Sequence, residues 1–473
     1  MNPITLNSLL MMVEDNIYLS TNQTICSVFR FEGLPCYGMS QSEYTDIMIK
    51  SMDLLNQLDT DIEVSFVTRN KHDKHTLNQF LDKMTYSSSR KKWMESVYQN
   101  SRFIETFLII SLPSKNGAVS FLNPAKFPLK KRVSHLKKEA ETIYQGFEKI
   151  GFNLGHVSLD EVGQWCYHHL NLDEHSELQI QTDPIFSDSN ASGSRYPTIR
   201  EQVLHETMEI GERYLKIGDT YHAILSLDLM GTHSDIYFYQ QLHNLFENTD
   251  HEIVVSFKRK DKDTYTKKLF QNQKDMQATL QIKKENISDF DANRVGSRKQ
   301  IYADQVALMD DISSFPLEVF ELSFSITCRA DSEKSLAEIV KQTIKTLQSN
   351  QFHHTVFRES GTLTPSLYHA FLPGNQHQLV DKVVCTTLQL LYFLPINRYY
   401  KGYTAITPMQ RVNQLYKTPN NEIACTHSFY FGSNFRIQEV TATTGSGKSF
   451  DLIKQIDGIL SEKIDVKPIV LVV

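Results

Sequence analysis

The chain has 473 residues, of which 40% are hydrophobic and 22% are charged, and its formal net charge is -6. This length exceeds one ordinary core and predicts two or three domains, while the composition is that of an ordinary globular protein. The acidic balance argues against a protein that wraps nucleic acid, because bulk polyanion binding needs a basic surplus.

Strand and helix signals alternate over the first 182 residues. β-branched and aromatic residues predict strands at 24–34, 61–68 and 103–112. Apolar residues at helical spacing predict helices at 40–58, 75–101, 128–150 and 160–172. Ser40 and Glu43 form a capping-box pattern at the start of the first of these helices. This order of elements predicts a layered α/β domain over residues 1–182.

A run dense in Asp, Ser, Asn, Gly and Pro predicts a linker at 183–197. Beyond it the signals alternate again, with strands predicted at 214–229, 251–258, 317–328 and 354–357. Helices are predicted at 234–248 and 332–348, with a polar and exposed helical region at 260–311. We therefore expect a central α+β domain over 198–390 and a fold class of α/β (α+β) with several domains.

The cysteines and the apolar stretches indicate a cellular compartment. Six cysteines occur without C-x-x-C spacing, which argues against a zinc site or a disulfide framework and fits a reducing cytoplasm. The longest apolar stretch, at about 385–396, is shorter than the ~20 residues that span a bilayer. The N-terminus lacks the pattern of a signal peptide. These patterns predict a protein that is soluble or peripheral to a membrane.

A P-loop pattern stands near the C-terminal end of the chain, with Ala in place of its first Gly. Small residues let successive backbone N–H groups cradle phosphate oxygens, and the helix that follows points its positive end at the anion. Lys448 would reach the β- and γ-phosphates of ATP, and the Ser449 hydroxyl would bind Mg²⁺. The residues predicted to contact nucleotide are Ala442, Thr443, Thr444, Gly445, Ser446, Gly447, Lys448, Ser449 and Phe450.

The sequence around the P-loop predicts the start of a RecA-like domain over 391–473. Strand-like residues at 435–441 precede the loop, a helical pattern at 450–460 follows it, and 466–473 reads as a buried strand. Only 24 residues follow Ser449, and they contain no acidic Walker B residue and no carboxylate to orient water. We therefore expect an incomplete domain that binds nucleotide weakly or not at all by itself and does not hydrolyse ATP, and we assign no catalytic residue.

Three segments carry a resemblance to a known family. They are TGSGKSF at 444–450, YHAFLPGN at 368–375 and FLPINR at 393–398, and ISLP at 110–113 adds to them. In these segments the chain resembles the large ATPases of type IV secretion and conjugation systems, of the TraC, TrbE and CagE type. The resemblance implies an ATPase at the cytoplasmic face of a bacterial inner membrane, which energises pilus assembly and substrate export. It also implies self-association as a dimer or hexamer and contact with inner-membrane components of the secretion complex.

Two other functions stay open from the residues alone. The chain could be a stand-alone nucleotide-binding regulatory or DNA-handling P-loop protein unrelated to secretion, or a non-catalytic interaction module with a vestigial P-loop. No sequence-specific nucleic-acid binding is predicted. A basic cluster is either a solvated helix face or a contact with anionic lipid; its members are Lys126, Lys130, Lys131, Arg132, Lys137 and Lys138. The histidines lack metal-site spacing and are interpreted as ordinary surface or core residues.

Overall fold

The computed structural model describes the chain in blocks. The described residues are 9–36, 39–73, 76–114, 129–172, 179–181, 198–203, 207–230, 238–245, 250–267, 271, 317–349, 352, 354–402, 412–426 and 448–461. The predicted linker at 183–197, most of the polar region at 260–311 and the predicted strands at 435–441 and 466–473 lie outside these blocks.

The first structural unit has a β-α-β-β-α-β order. Its elements are β3 (Ile25–Glu32), α1 (Gln41–Asn56), β4 (Glu63–His72), β5 (Arg102–Leu112), α4 (Leu129–Ile150) and β6 (Asn153–His156). The strands lie in the order β6-β3-β5-β4, and every neighbouring pair is antiparallel. This is the connectivity of the split β-α-β motif. Two helices, α2 (Thr76–Asp82) and α3 (Ser88–Tyr98), are inserted between β4 and β5 where the sequence predicts one continuous helical stretch.

Local sequence signals account for the helices of this unit. The backbone N–H of Glu43 donates to the Ser40 hydroxyl, and the backbone N–H of Ser40 donates to the Glu43 carboxylate at 2.8 Å, so the predicted capping box is confirmed. Helix α4 buries an apolar stripe at spacings of three and four residues, which faces the sheet. The stripe consists of Val133, Leu136, Ala140, Ile143 and Phe147.

A second unit repeats the same order of elements. They are β9 (Thr220–Leu229), α7 (Phe238–Leu245), β10 (His251–Lys260), β11 (Val319–Ala330), α8 (Glu333–Leu347) and β12 (Thr355–Arg358). The strands lie in the order β12-β9-β11-β10, again with every neighbouring pair antiparallel. The chain therefore contains two units of the same connectivity.

Strands β4 and β10 join the two units, and we call this strand pair the seam. The strands pair antiparallel along eight residues of each. Across the seam Ser65 Oγ donates to Ser256 Oγ at 2.8 Å. Strands from both sides of residues 183–197 thus belong to one sheet, while the domain boundaries at 182 and 198 stay a prediction.

Helices cover both faces of this sheet. One face is covered by α1, α4, α7 and α8, and the other by α5 (Leu159–Asn171), α6 (Ile199–Val203) and α9 (Thr364–His369). Two hairpins extend the sheet at its edges, β1–β2 (Leu9–Glu14, Ile17–Ser20) and β7–β8 (Met208–Ile210, Leu215–Ile217). Strand β13 (Val383–Thr386) pairs with the part of β11 that β9 leaves unpaired, and it leads into α10 (Thr387–Leu391).

The predicted mixed α and β fold class is confirmed at this level. The RecA-like domain stays a prediction, because residues 427–447 and 462–473, where its strands are expected, lie outside the described residues. No helix within the described blocks has both the length and the apolar character that crossing a bilayer requires. All six cysteines are buried free thiols.

Candidate functional site

Helix α11 (Lys448–Ser461) begins at the lysine of the predicted P-loop. Residues 442–447 lie outside the described part of the chain, and for Lys448, Ser449 and Phe450 only the helical backbone is described. The helix predicted at 450–460 is confirmed, and it starts where a P-loop passes into its helix. The nucleotide contacts themselves stay a prediction.

A short hairpin, β14 (Gln414–Lys417) with β15 (Ile423–Thr426), holds α11 from one side. Tyr416 Oη donates to Asp451 Oδ1 at 3.2 Å, and the Lys454 ammonium lies 4.2 Å from the centre of the Tyr416 ring. Gly458 packs against backbone, since a Cβ at this position would lie 1.9 Å from the carbonyl oxygen of Asn413. The hairpin therefore fixes both the rotation and the distance of α11.

The α2–α3 insertion of the first unit holds α11 from another side. The backbone N–H and the hydroxyl of Thr85 both donate to the carbonyl of Ser461, at 2.7 and 2.8 Å. Arg90 Nη2 lies 3.2 Å from Asp457 Oδ2. The insertion and the hairpin share a small apolar core of Leu77, Phe80, Leu81, Met84, Met94, Tyr98, Val412, Leu415, Ile423 and Cys425. The first unit thus supports the helix of the predicted P-loop directly.

A buried ion pair lies where the hairpin meets the sheet. Lys401 and Glu422 are in contact with their side chains 9% and 3% exposed. The Glu422 carboxylate accepts a hydrogen bond from the backbone N–H of Ile104 at 3.3 Å, and the N–H of Arg102 donates to the carbonyl of Asn421 at 2.9 Å. The hairpin is therefore fastened to the start of β5.

The two other segments that carry the family resemblance belong to the packed structure. In 368–375, Tyr368 is fully buried, and its Oη donates to the carbonyl of His169 at 2.7 Å. In 393–398, the carbonyl of Ile396 accepts from the N–H of Leu34 at 2.7 Å. The segment 393–398 therefore fastens the chain between α10 and the hairpin to the first unit, whereas 368–375 fastens the end of α9 to α5.

A buried ionic cluster, the Glu252 cluster, lies on the face of the sheet that α5 covers. Glu252 Oε1 lies 3.1 Å from Arg69 Nε and 3.2 Å from Arg329 Nη2, and Glu252 Oε2 lies 2.7 Å from His169 Nδ1. Glu252 is 2% exposed, and its burial alone would raise its pKa. His169, Arg329 and Arg69 more than offset this effect and hold the pKa of Glu252 well below its usual range.

The sequence patterns do not predict this cluster. The spacing of the histidines predicts an ordinary residue at His169, and no pattern singles out the two arginines or Glu252. One sequence signal was available: Glu252 directly precedes the apolar run 253–255 of its strand, where an unpaired carboxylate would be costly. The partners could not be identified, because they come from β4, β11 and α5.

The predicted basic cluster is partly engaged within the fold. Arg132 donates to two backbone carbonyls, those of Gln23 and Leu112, at 2.8 Å each. Lys137 forms an ion pair with Glu14. Lys126 lies outside the described residues, and the exposed members are Lys130, Lys131, Lys137 and Lys138. Arg132 therefore has a structural role, whereas the exposed lysines leave lipid contact a prediction.

Glu359 is another buried carboxyl group, and its pKa gives a prediction for how the stability of the fold depends on pH. Burial raises the pKa of Glu359 to about 7, with a further rise from Asp381 and an opposing effect of a hydrogen bond to Ser226. Between its ordinary value of 4.5 and about 7, the folded chain therefore keeps a proton that the unfolded chain has lost. Stability from this group falls as pH rises through that window.

Glu359→Gln is accordingly expected to raise the free energy of unfolding at pH 8 by on the order of 1–3 kcal/mol. At pH 4.5 the change should be close to zero, because Glu359 is then protonated in the folded chain. Denaturant unfolding at both pH values measures the difference, with the exposed Glu333→Gln on α8 as the matched control. An equal effect of Glu359→Gln at the two pH values would contradict the assignment.

Comparison of the sequence with models of protein families finds no matching family, and comparison with curated proteins finds no match.

Proposed function

We propose that the chain binds ATP with Mg²⁺ at residues 442–450 and forms the N-terminal and central scaffold of a type IV secretion or conjugation ATPase. The observation that carries the proposal is the start of α11 at Lys448, directly after the Gly-rich segment. A helix N-terminus presents backbone N–H groups and a partial positive charge, which together favour a phosphate group. At 14 residues, α11 is long enough to supply both.

The residues present have the chemistry that ATP and Mg²⁺ need. The backbone N–H groups of 445–447 would hold phosphate oxygens, Lys448 would place a charge at the β- and γ-phosphates, and the Ser449 hydroxyl would bind the metal. Bound Mg²⁺ would neutralise charge on the same phosphates. The supports of α11 described above would hold the start of the helix in place for this contact.

The scaffold role rests on how α11 is held. The α2–α3 insertion contacts α11 at Thr85 and Arg90, so a displacement of α11 would change its contacts with the first unit. In this proposal the two units organise self-association, as a dimer or hexamer, and docking onto inner-membrane components of the secretion complex. The exposed lysines of α4 would add contact with anionic lipid at the cytoplasmic face.

Lys448→Ala is expected to weaken binding of Mg²⁺–ATP to the full chain by roughly 10- to 100-fold, because a charge-assisted contact to phosphate is lost. Isothermal titration calorimetry measures the affinity, and circular dichroism checks that the fold is unchanged. Lys92→Ala, at an exposed lysine of α3, is the matched control and should bind ATP like the parent chain.

Two outcomes would count against the proposal. If the parent chain does not bind ATP, or if the parent and Lys448→Ala bind it equally, residues 442–450 are not a nucleotide site. If pilus assembly and substrate export are unchanged when the host carries Lys448→Ala, the chain does not act in ATP-driven secretion through this site.

A further inference from the structure

A cleft of about 490 Å³ opens at one end of the seam. Its lining comes from the ends of β4 and β11, from the starts of β5, β9 and β10, from the last turn of α5 and from the first turns of α8. A cleft of this size between two structural units is typical of sites for small ligands. It is separate from the predicted P-loop, because neither α11 nor the β14–β15 hairpin contributes to its lining.

Basic side chains outnumber acidic ones in this cleft. The basic members are Arg69, Lys71, Arg102, Arg329, His72 and His168, and the carboxylates are Asp250, Glu252 and Asp331. Arg102 Nη2 lies 2.5 Å from Asp250 Oδ1, and Glu252 is neutralised within the Glu252 cluster. Asp331 is exposed. By formal charge, the four Arg and Lys side chains of the lining exceed its three carboxylates by one.

Two buried side chains in the lining can offer hydrogen-bond donors to a ligand. Arg69 is 6% exposed, and within the described residues its side chain makes one hydrogen bond, from Nε to Glu252 at 3.1 Å. Asn70 is 1% exposed, and its Oδ1 accepts from Arg102 Nε at 2.9 Å. The Asn70 Nδ2 group is buried and has no acceptor among the described residues. A buried N–H group without an acceptor is costly, so the Asn70 amide favours a ligand that brings an acceptor oxygen.

We propose that this cleft binds a small phosphate-bearing anion. A guanidinium donates to a phosphate through two parallel N–H groups, and Arg69 has its terminal amino groups available for such a contact. The first turns of α8 reach the cleft through Ser335, and the N-terminal end of this 15-residue helix adds partial positive charge. Lys71, whose ammonium lies 5.6 Å from the centre of the Phe103 ring, supplies a further charge at the cleft.

The test uses the full chain carrying Lys448→Ala, which weakens binding at the predicted P-loop, and cleft variants made in this background assign the remaining binding to the cleft. Titration calorimetry with inorganic phosphate and pyrophosphate is expected to show saturable binding. Lys71→Gln should weaken it by roughly 10-fold, because one charged contact is lost. Arg69→Lys keeps the charge next to Glu252 but removes the paired donors, and it should weaken binding at least as much. Lys92→Gln on α3, outside the cleft, should bind like its parent.

Titrations with AMP and ATP in the same background identify the source of the phosphate. Tighter binding of a nucleotide than of inorganic phosphate assigns the cleft to nucleoside phosphates, and equal or weaker binding assigns it to the free anion. The proposal is overturned if none of these ligands binds at millimolar concentration. It is equally overturned if binding occurs and neither Lys71→Gln nor Arg69→Lys weakens it.

Discussion

Replacing Glu252 by alanine is expected to lower the free energy of unfolding by about 3–5 kcal/mol, the usual cost of removing one partner from a buried ionic cluster. The substitution leaves Arg69, Arg329 and His169 facing one another without the carboxylate that neutralises them, and their side chains are 8%, 14% and 0% exposed. The substitution should destabilise both units, because Arg69 belongs to the first unit and Arg329 to the second. Denaturant unfolding followed by circular dichroism measures it.

Two controls separate charge from shape. Glu252→Gln keeps the shape and one acceptor oxygen but loses the charge, so we expect a smaller loss of about 1–3 kcal/mol. Glu333→Ala, at an exposed position of α8, should change stability by less than about 0.5 kcal/mol. A loss below about 1 kcal/mol for Glu252→Ala would show that the cluster contributes little net stability, as some buried ion pairs do.

The pH dependence of this contribution follows from the direction of the pKa shift. Because the pKa of Glu252 is lowered in the folded chain, its stabilisation is fully present above the ordinary value of 4.5 and is lost as pH falls towards the lower folded value. The difference between the parent chain and Glu252→Gln should therefore be constant from pH 5 upwards and should shrink in stronger acid. Glu359, whose pKa is raised, has the opposite pH dependence, because its contribution to stability falls as pH rises.

Local patterns predicted the elements whose formation depends on neighbouring residues. The apolar run of β11, the capping box of α1 and the helix after the Gly-rich segment all follow from spacings within a few residues. The β1–β2 hairpin was missed, although Asn16 at its two-residue turn has a φ of 57°, a conformation that asparagine tolerates better than most residues. A short Asp-Asn turn between apolar residues was the available signal.

Features that depend on distant residues could not be predicted from one sequence. The seam pairs residues 63–70 with 251–258, and no local pattern specifies which strand edges meet. The same holds for the Glu252 cluster, whose residues come from four elements, and for the cleft beside it, whose lining comes from seven. The predicted P-loop is the opposite case, because all residues of its pattern are consecutive in the sequence, and the structure adds only the contacts that hold α11.

Gly458→Ala is expected to release α11 from the β14–β15 hairpin. Alanine normally stabilises a helix relative to glycine by about 0.5–1 kcal/mol. Here the added Cβ would lie 1.9 Å from the carbonyl oxygen of Asn413, so either the helix or the hairpin must move. We expect a net loss of about 1–3 kcal/mol, together with faster amide hydrogen exchange in α11 and weaker binding of ATP. Exchange measured by mass spectrometry on the full chain reports the first effect, and calorimetry the second.

Gly146→Ala in α4 is the matched control, because it adds the same methyl group to another helix. Its Cβ would lie 2.4 Å from the Leu54 Cδ1 atom, which is the tip of a side chain that can turn away, whereas the carbonyl of Asn413 is fixed in the backbone. Gly146→Ala should therefore leave hydrogen exchange in α11 and ATP affinity unchanged. If Gly458→Ala also leaves both unchanged, the hairpin does not position α11. If exchange in α11 rises while ATP affinity stays constant, the hairpin holds the helix but the nucleotide site does not depend on it.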